Sequence, residues 1–155
     1  MDQAKSQAPS YAGHIQRDVT RRDGDLKITL EFEARFLRRK RMATDCGMAF
    51  MVDLAETVSL DAGDAFLLDD RRQIIIQAAA ELVVEIRHKD LAKIAWHIGN
   101  RHTPCEIRQE CLVICRDHVL EDLLTRLGAM LANTEAPFNP EGGAYGVGRT
   151  HGHAH

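Results

Sequence analysis

The sequence predicts an α+β protein with an N-terminal all-β domain, then a ferredoxin-like βαββαβ domain, then a flexible His-containing C-terminal tail. Three observations predict it. Residues 25–77 hold short runs with the alternating period of strands and no helical stretch between them. From residue 78 onward, β-branched segments alternate with two capped amphipathic stretches in the order β-α-β-β-α-β. After Pro137 the chain turns Gly-rich and ends His151-Gly152-His153-Ala154-His155. The expected divisions are a polar leader over 1–24, the β domain over 25–77, the ferredoxin-like domain over 78–137 and the tail over 138–155. A length of 155 residues with 45% hydrophobic content is enough to fill two small cores.

Residues 1–24 are polar, with Pro9, Ser10 and Gly13, and read as a loose leader. Over 26–34, Leu26, Ile28, Leu30, Phe32 and Ala34 alternate with polar residues, as in a half-buried strand. Further strands are expected over 49–54, over 65–68 after the Asp61-Ala62-Gly63-Asp64 turn, and over 74–76. Residues 81–87 form the first strand of the second domain. Asp90 then caps a helix whose Leu91, Ile94, Ala95 and Ile98 fall at i, i+3, i+4 and i+7, and Gly99 with Asn100 ends it. Residues 105–109 and 111–115 read as two strands joined tightly at Gln109-Glu110. Asp117 caps a second helix with the stripe Leu120, Leu123, Leu124, Leu127 and Leu131, and Gly128 marks its last turn. A final strand is expected over 132–136.

Composition excludes several classes. Twenty Lys and Arg against 23 Asp and Glu leave a net charge of −3, which is not the balance of a nucleic-acid binder. The basic run of Arg35, Arg38, Arg39, Lys40 and Arg41 reads as a blunted sheet edge or as partners for acids. No stretch approaches the ~18 apolar residues of a membrane span, and no secretory core segment opens the chain, so a cytoplasmic protein is expected. Cys46, Cys105, Cys111 and Cys115 read as reduced thiols. The serines, Ser6, Ser10 and Ser59, form no nucleophile elbow, and no glycine-rich segment has the context of a phosphate loop. Cys115 with His118 lacks an identifiable orienting group, so a thiol enzyme is disfavoured.

The residue in excess is histidine, with 8 copies. Three imidazoles in the last five residues, His151, His153 and His155, could converge on one Ni²⁺, Cu²⁺ or Zn²⁺ ion. His102 lies just past a helix end, where partial negative charge favours a cation. Read alone it is an exposed capping side chain; on a two-fold axis, two copies would make a shared site. His97, five residues earlier, is turned away by roughly 140° around the helix. His118, after its Asp117 cap, could assist a peripheral site with Asp122 or Cys115, or be an ordinary first-turn residue. Cys111 and Cys115 are ~13 Å apart in a strand, too far to share an ion.

Three segments carry a resemblance: His97-Ile98-Gly99-Asn100-Arg101-His102-Thr103-Pro104, then Asp117-His118-Val119-Leu120-Glu121, then Pro137-Phe138-Asn139-Pro140-Glu141-Gly142-Gly143-Ala144-Tyr145. In order and spacing they resemble the urease accessory protein UreE family of nickel metallochaperones. The likeness is strongest over 78–145 and continues weakly through the β region. It implies a β domain similar to peptide-binding modules, a ferredoxin-like metal-binding domain, and a homodimer formed through the latter. It further implies His102 as a shared nickel ligand, tail histidines that complete or feed that site, and urease apoprotein with its GTPase-containing accessory complex as partners. Some members carry a second histidine where this chain has Arg116, and the short tail argues against large-capacity nickel storage.

The expectation that joins both lines is a dimeric, non-enzymatic Ni²⁺ carrier that also accepts Cu²⁺ or Zn²⁺, with metal donors among His102, His118, His151, His153 and His155. The competing expectation is a protein-interaction adaptor whose tail binds metal incidentally.

Overall fold

A computed structural model describes residues 9–142, and the tail histidines His151, His153 and His155 lie outside the described residues. The described residues divide into two compact units, one of residues 9–30 and 36–77, the other of 31–35 and 78–142. Six strands build the first: β1 (Ser10–Gln16), β2 (Leu26–Leu30), β3 (Phe36–Ala43), β4 (Ala49–Ser59), β5 (Ala65–Leu68) and β6 (Gln73–Ala78). They form one sheet in the order β2-β6-β5-β1-β4-β3.

In this sheet alternate residues of β4, Phe50, Val52 and Leu54, face a core shared with Ala12, Ile28, Phe66, Ile74 and Ile76. The Phe50 and Phe66 rings meet at 5.6 Å. Buried Asp64 fixes the turn before β5 by accepting from Arg17 Nη1 (2.6 Å) and from the backbone N–H groups of Asp18 (3.1 Å) and Asp61 (2.9 Å). A carboxylate so buried is stable only because its lone pairs are filled in this way. The basic run lies mostly on edge strand β3, where Arg39 grips Asp53 with two bonds of 3.0 and 2.8 Å, in keeping with a charged, blunted edge.

Two expectations for this part need correction. Ser10–Gln16 is not leader but a central strand, parallel to β4 and antiparallel to β5. Of its residues only Ala12 is fully buried, so backbone ladders hold it and its side chains show no apolar period to read. The strand expected over 26–34 stops at Leu30, and residues 31–35 leave to join the second unit.

The second unit contains β7 (Ala80–Arg87), α1 (Leu91–Asn100), β8 (Glu106–Ile107), β9 (Leu112–Cys115), α2 (His118–Arg126) and β10 (Met130–Pro137). Its antiparallel sheet has the order β10-β7-β9-β8, which is the ferredoxin-like arrangement expected of this element order. Asp90 accepts from Lys93 N (3.1 Å) to start α1, and Asp117 accepts from Val119 N (3.0 Å) and Leu120 N (3.1 Å) to start α2. These caps satisfy N–H groups that have no partner within the helix. The helices press Ile94, Ile98, Leu120 and Leu124 onto Val84, Ile86, Leu112 and Ile114. Gly128, at φ +88°, ends the turn after α2, so Leu131 belongs to β10 rather than to the helix stripe. The strand expected over 105–109 shrinks to two residues, because the chain turns at Arg108, whose N–H reaches Cys111 O at 2.9 Å.

The opposite sheet face is covered too. Val83, Cys111 and Val113 pack under Phe32 and Phe138, whose rings meet edge to face at 5.3 Å. Phe32 arrives on residues 31–35, where a single 3-10 turn (Glu33–Arg35) follows it. Glu81 ties this segment to β7 by accepting from Phe32 N at 2.7 Å. Arg35 is therefore not part of an exposed basic run: it is 1% exposed, and its guanidinium carbon sits 5.4 Å from the Phe32 ring centroid.

Candidate metal centre

The end of α1 determines how His102 is presented. Arg101 N–H bonds to Ile98 O (3.1 Å), His102 N–H to Gly99 O (2.9 Å) and Thr103 N–H to Ile98 O (3.4 Å), so the last carbonyls of the helix are taken up by a tight turn. His102 itself takes the left-handed conformation, φ +56°, a region costing a non-glycine residue roughly 1 kcal/mol. The turn leaves its imidazole exposed beside the helix's carbonyl end. Such an arrangement offers one imidazole nitrogen donor to a borderline cation.

Three residues later the segment meets the far end of the described chain. Beyond β10, Phe138 is fully buried on the sheet face. Its carbonyl accepts from Arg35 Nη2, and Asn139 Oδ1 accepts from Arg35 Nη1 at 3.3 Å. Asn139 N–H donates to Glu106 Oε2 (2.9 Å) on β8, and Glu141 N–H to Cys105 O (2.9 Å). Residues 138–141 thus cross from the β10 edge of the sheet to its β8 edge, a distance of ~14 Å for three strand spacings. Four residues fully extended cover the same ~14 Å. Cα of Cys105, where the crossing ends, is at most ~11 Å from that of His102.

The other sequence-selected residues are more scattered. His118 is exposed at the first position of α2, and Asp122 is exposed beyond it. The Cys115 thiol instead donates to Glu81 Oε1 (3.3 Å), on the sheet face away from the helices. His97 is half-buried with its ring edge-on to Trp96 at 5.0 Å. His88 Nδ1 accepts from Asp90 N at 2.9 Å. His14 lies far along the chain, lining a groove of about 580 Å³ in the first unit with Tyr11, Leu67 and Asp69. Among the described residues no three His, Cys, Asp or Glu side chains converge on a point that would hold an ion.

All four cysteines are free thiols. Burial pushes the Cys105 thiol up to about 11, whereas the hydrogen bond with the Thr44 hydroxyl pulls exposed Cys46 below its ordinary value. A protonated Cys105 is a poor metal donor despite lying near His102.

Arg35, Glu81 and Glu106 were not legible as parts of this region. Asn139 lay within a segment that carries the resemblance, and Phe138, a large aromatic inside a Pro/Gly-rich stretch, hints at burial there.

Comparison with known proteins bears on the whole chain. Residues 11–79 match the model of the UreE urease accessory protein N-terminal domain, and residues 81–155 match that of its C-terminal domain. The chain belongs to the UreE family. A urease accessory protein UreE of Ruegeria pomeroyi is 54% identical over 143 residues, covering 90% of this chain and 96% of its own length. Relatives of the same description from Paracoccus denitrificans and Cereibacter sphaeroides are each 56% identical, covering 81% and 83% of this chain and 80% and 70% of their own lengths. As a UreE protein the chain serves urease maturation as an accessory chaperone and is not an enzyme. No helix among the described residues is long and apolar enough to cross a membrane.

Proposed function

We propose that this protein is a cytoplasmic nickel metallochaperone: a homodimer that takes up Ni²⁺ with His102 of each copy and hands it to urease apoprotein and its GTPase-containing accessory complex. The observation that carries the reading is the adjacency of two features. An exposed imidazole stands on a left-handed turn at the end of α1, and the chain leading to the tail is fastened to the Cys105 carbonyl three residues further on. From Gly142 to His151 is nine residues, a reach of up to ~30 Å. In this reading His151, His153 and His155 join or feed His102.

One imidazole per copy is half a site, and a two-fold axis doubles it without any further protein donor. Such a neutral nitrogen set also accepts Cu²⁺ or Zn²⁺. It suits a carrier, because a dissociation constant near 1 μM, about 8 kcal/mol, holds the ion and still permits transfer. His118 stands apart as a peripheral donor. The adaptor alternative draws on the groove beside Tyr11 and His14, and partner docking there is compatible with metal transfer from the second unit.

Titration calorimetry with Ni²⁺, paired with a measurement of mass in solution, tests the reading. Protein ending after Gly142 should bind one ion per dimer, and His102→Ala in that background should abolish the site. Unchanged binding in His102→Ala, or a monomer that binds as tightly, would overturn it.

A further inference from the structure

β3 is the last strand of the six-stranded sheet, and among the described residues no strand pairs with its outer side. Its hairpin with β4 starts where Thr44 N–H donates to Met48 O (2.9 Å), and the register continues through Met42↔Phe50 and Lys40↔Val52. In an antiparallel pair these alternate positions spend their N–H and C=O groups on the partner strand, so those of Arg39, Arg41 and Ala43 point to the open side. The open stretch stops at Asp45, whose N–H donates to Lys27 O of β2 at 2.8 Å.

The charge on this edge is local and one-signed. Arg38, Arg39, Lys40 and Arg41 are all exposed, although the chain as a whole carries a net charge of −3. Arg39 is gripped by Asp53 across the strand, but the residues opposite Lys40 and Arg41 are Val52 and Met51, and neither cation has an ion-pair partner among the described residues. Val52 faces the core, so Lys40 lies on the core side of the edge beside half-buried Met42, and Arg41 lies on the outer side. Two copies meeting β3 to β3 would set like charges against one another, which is destabilising. The same cations favour an acidic strand.

We propose that the open edge of β3 is a docking strand for an extended segment of another protein in which acidic and apolar residues alternate. The segment's backbone pairs with the free N–H and C=O groups of Arg39 and Arg41. Its carboxylates meet Arg41 on the outer face, and its apolar side chains lie along Met42 and the methylenes of Lys40.

The probe is a labelled peptide matching β3 in length, with glutamate alternating with valine and both ends blocked. Its controls are a lysine–valine counterpart, a twin of the same charge with proline at the central valine, and a short single-stranded DNA. Binding to the full chain is read by fluorescence anisotropy at pH 7 and low salt, and amide exchange is read at Arg39, Arg41 and Ala43. The acidic peptide should bind and slow exchange at Arg39 and Arg41, and the lysine peptide should not bind. The proline twin, lacking one ladder donor, should bind about 3–10-fold more weakly. Arg41→Ala should weaken the acidic peptide about two- to fivefold. Arg41→Pro should weaken it further, because it also removes an outward N–H while leaving the bonds to β4 in place. A proline twin as tight as its parent, or DNA protecting the same amides as tightly, would reduce the edge to a general anion attractor and overturn the proposal. So would no binding, or protection elsewhere. An assembly larger than a dimer that Arg41→Pro splits would assign the edge to a second copy and equally refute it. Should Arg41→Pro fail to fold, the proline twin tested on the parent protein decides the question.

Discussion

Truncating Phe138 to alanine is the most demanding test of how the second unit is built. The ring is fully buried, meets Phe32 edge to face at 5.3 Å, and lies over Val83, Cys111 and Val113. Val83 and Val113 belong to neighbouring strands whose pairing runs from Val83↔Cys115 to Ile86↔Leu112, so the floor beneath the ring cannot rise to close a cavity. The expected cost is therefore the full ~3–5 kcal/mol of a buried Phe→Ala change, with the aromatic pair included. At about 4–8 °C per kcal/mol for a unit of roughly 80 residues, the thermal midpoint should fall by some 12–40 °C. Urea unfolding followed by far-UV circular dichroism and by the fluorescence of Trp96, which lies on α1, gives the number directly. Phe32→Ala should cost about as much, and the double variant less than the sum, because the two rings share one interaction. A loss below ~1 kcal/mol for Phe138→Ala would mean that the crossing segment is not packed on the sheet.

Three other outcomes are expected. Alkylation at pH 8, followed by mass spectrometry of peptides, should modify Cys46 first; Cys105, at about 11 against an ordinary 9.0, should show about a hundredfold less thiolate than a free cysteine. Asp117→Ala should cost about 1 kcal/mol by leaving Val119 and Leu120 N–H uncapped, while Asp117→Asn should recover most of it, as judged from denaturation midpoints. The hydrogen bond from Arg116, with help from Asp117 N–H, holds the Glu121 carboxyl below its ordinary 4.5. A depressed folded value means that this stabilisation is complete above pH 4.5 and is lost as pH falls through the folded value. Glu121→Gln should flatten that part of the acid-unfolding curve, and a curve identical to that of the parent protein would refute the assignment.

Much of the second unit was legible because its signals are local. Asp90 and Asp117 cap the helices they precede, and the i, i+3, i+4 spacing of Ile94 and Ile98 and of Leu120 and Leu124 matches the faces that are buried. In the same way β-branched content marked β7, and short apolar runs marked β5 and the first half of β4. Where reading stopped short, the stabilising partner was distant in sequence. Ser10–Gln16 lacks an apolar pattern because it is secured by ladders to β4 and β5, 40 to 56 residues on. Phe32 continued the alternation of β2 faithfully and yet serves a different core. The place of His102 just past the end of α1 was legible from Gly99, but its left-handed backbone and the approach of Glu141 to Cys105, three residues on, were not.

By itself, then, the order of residues was sufficient for the class of fold, the helix starts and the family, since caps, periods and motifs each lie within a few residues of what they control. The destination of residues 31–35 and the path of 138–141 were settled only in three dimensions. Arg35 and Asn139 are 104 positions apart, and no local pattern encodes a hydrogen bond across that gap. It forms because burying Phe32 and Phe138 together draws both segments onto one sheet face, where the buried guanidinium must then find oxygen partners.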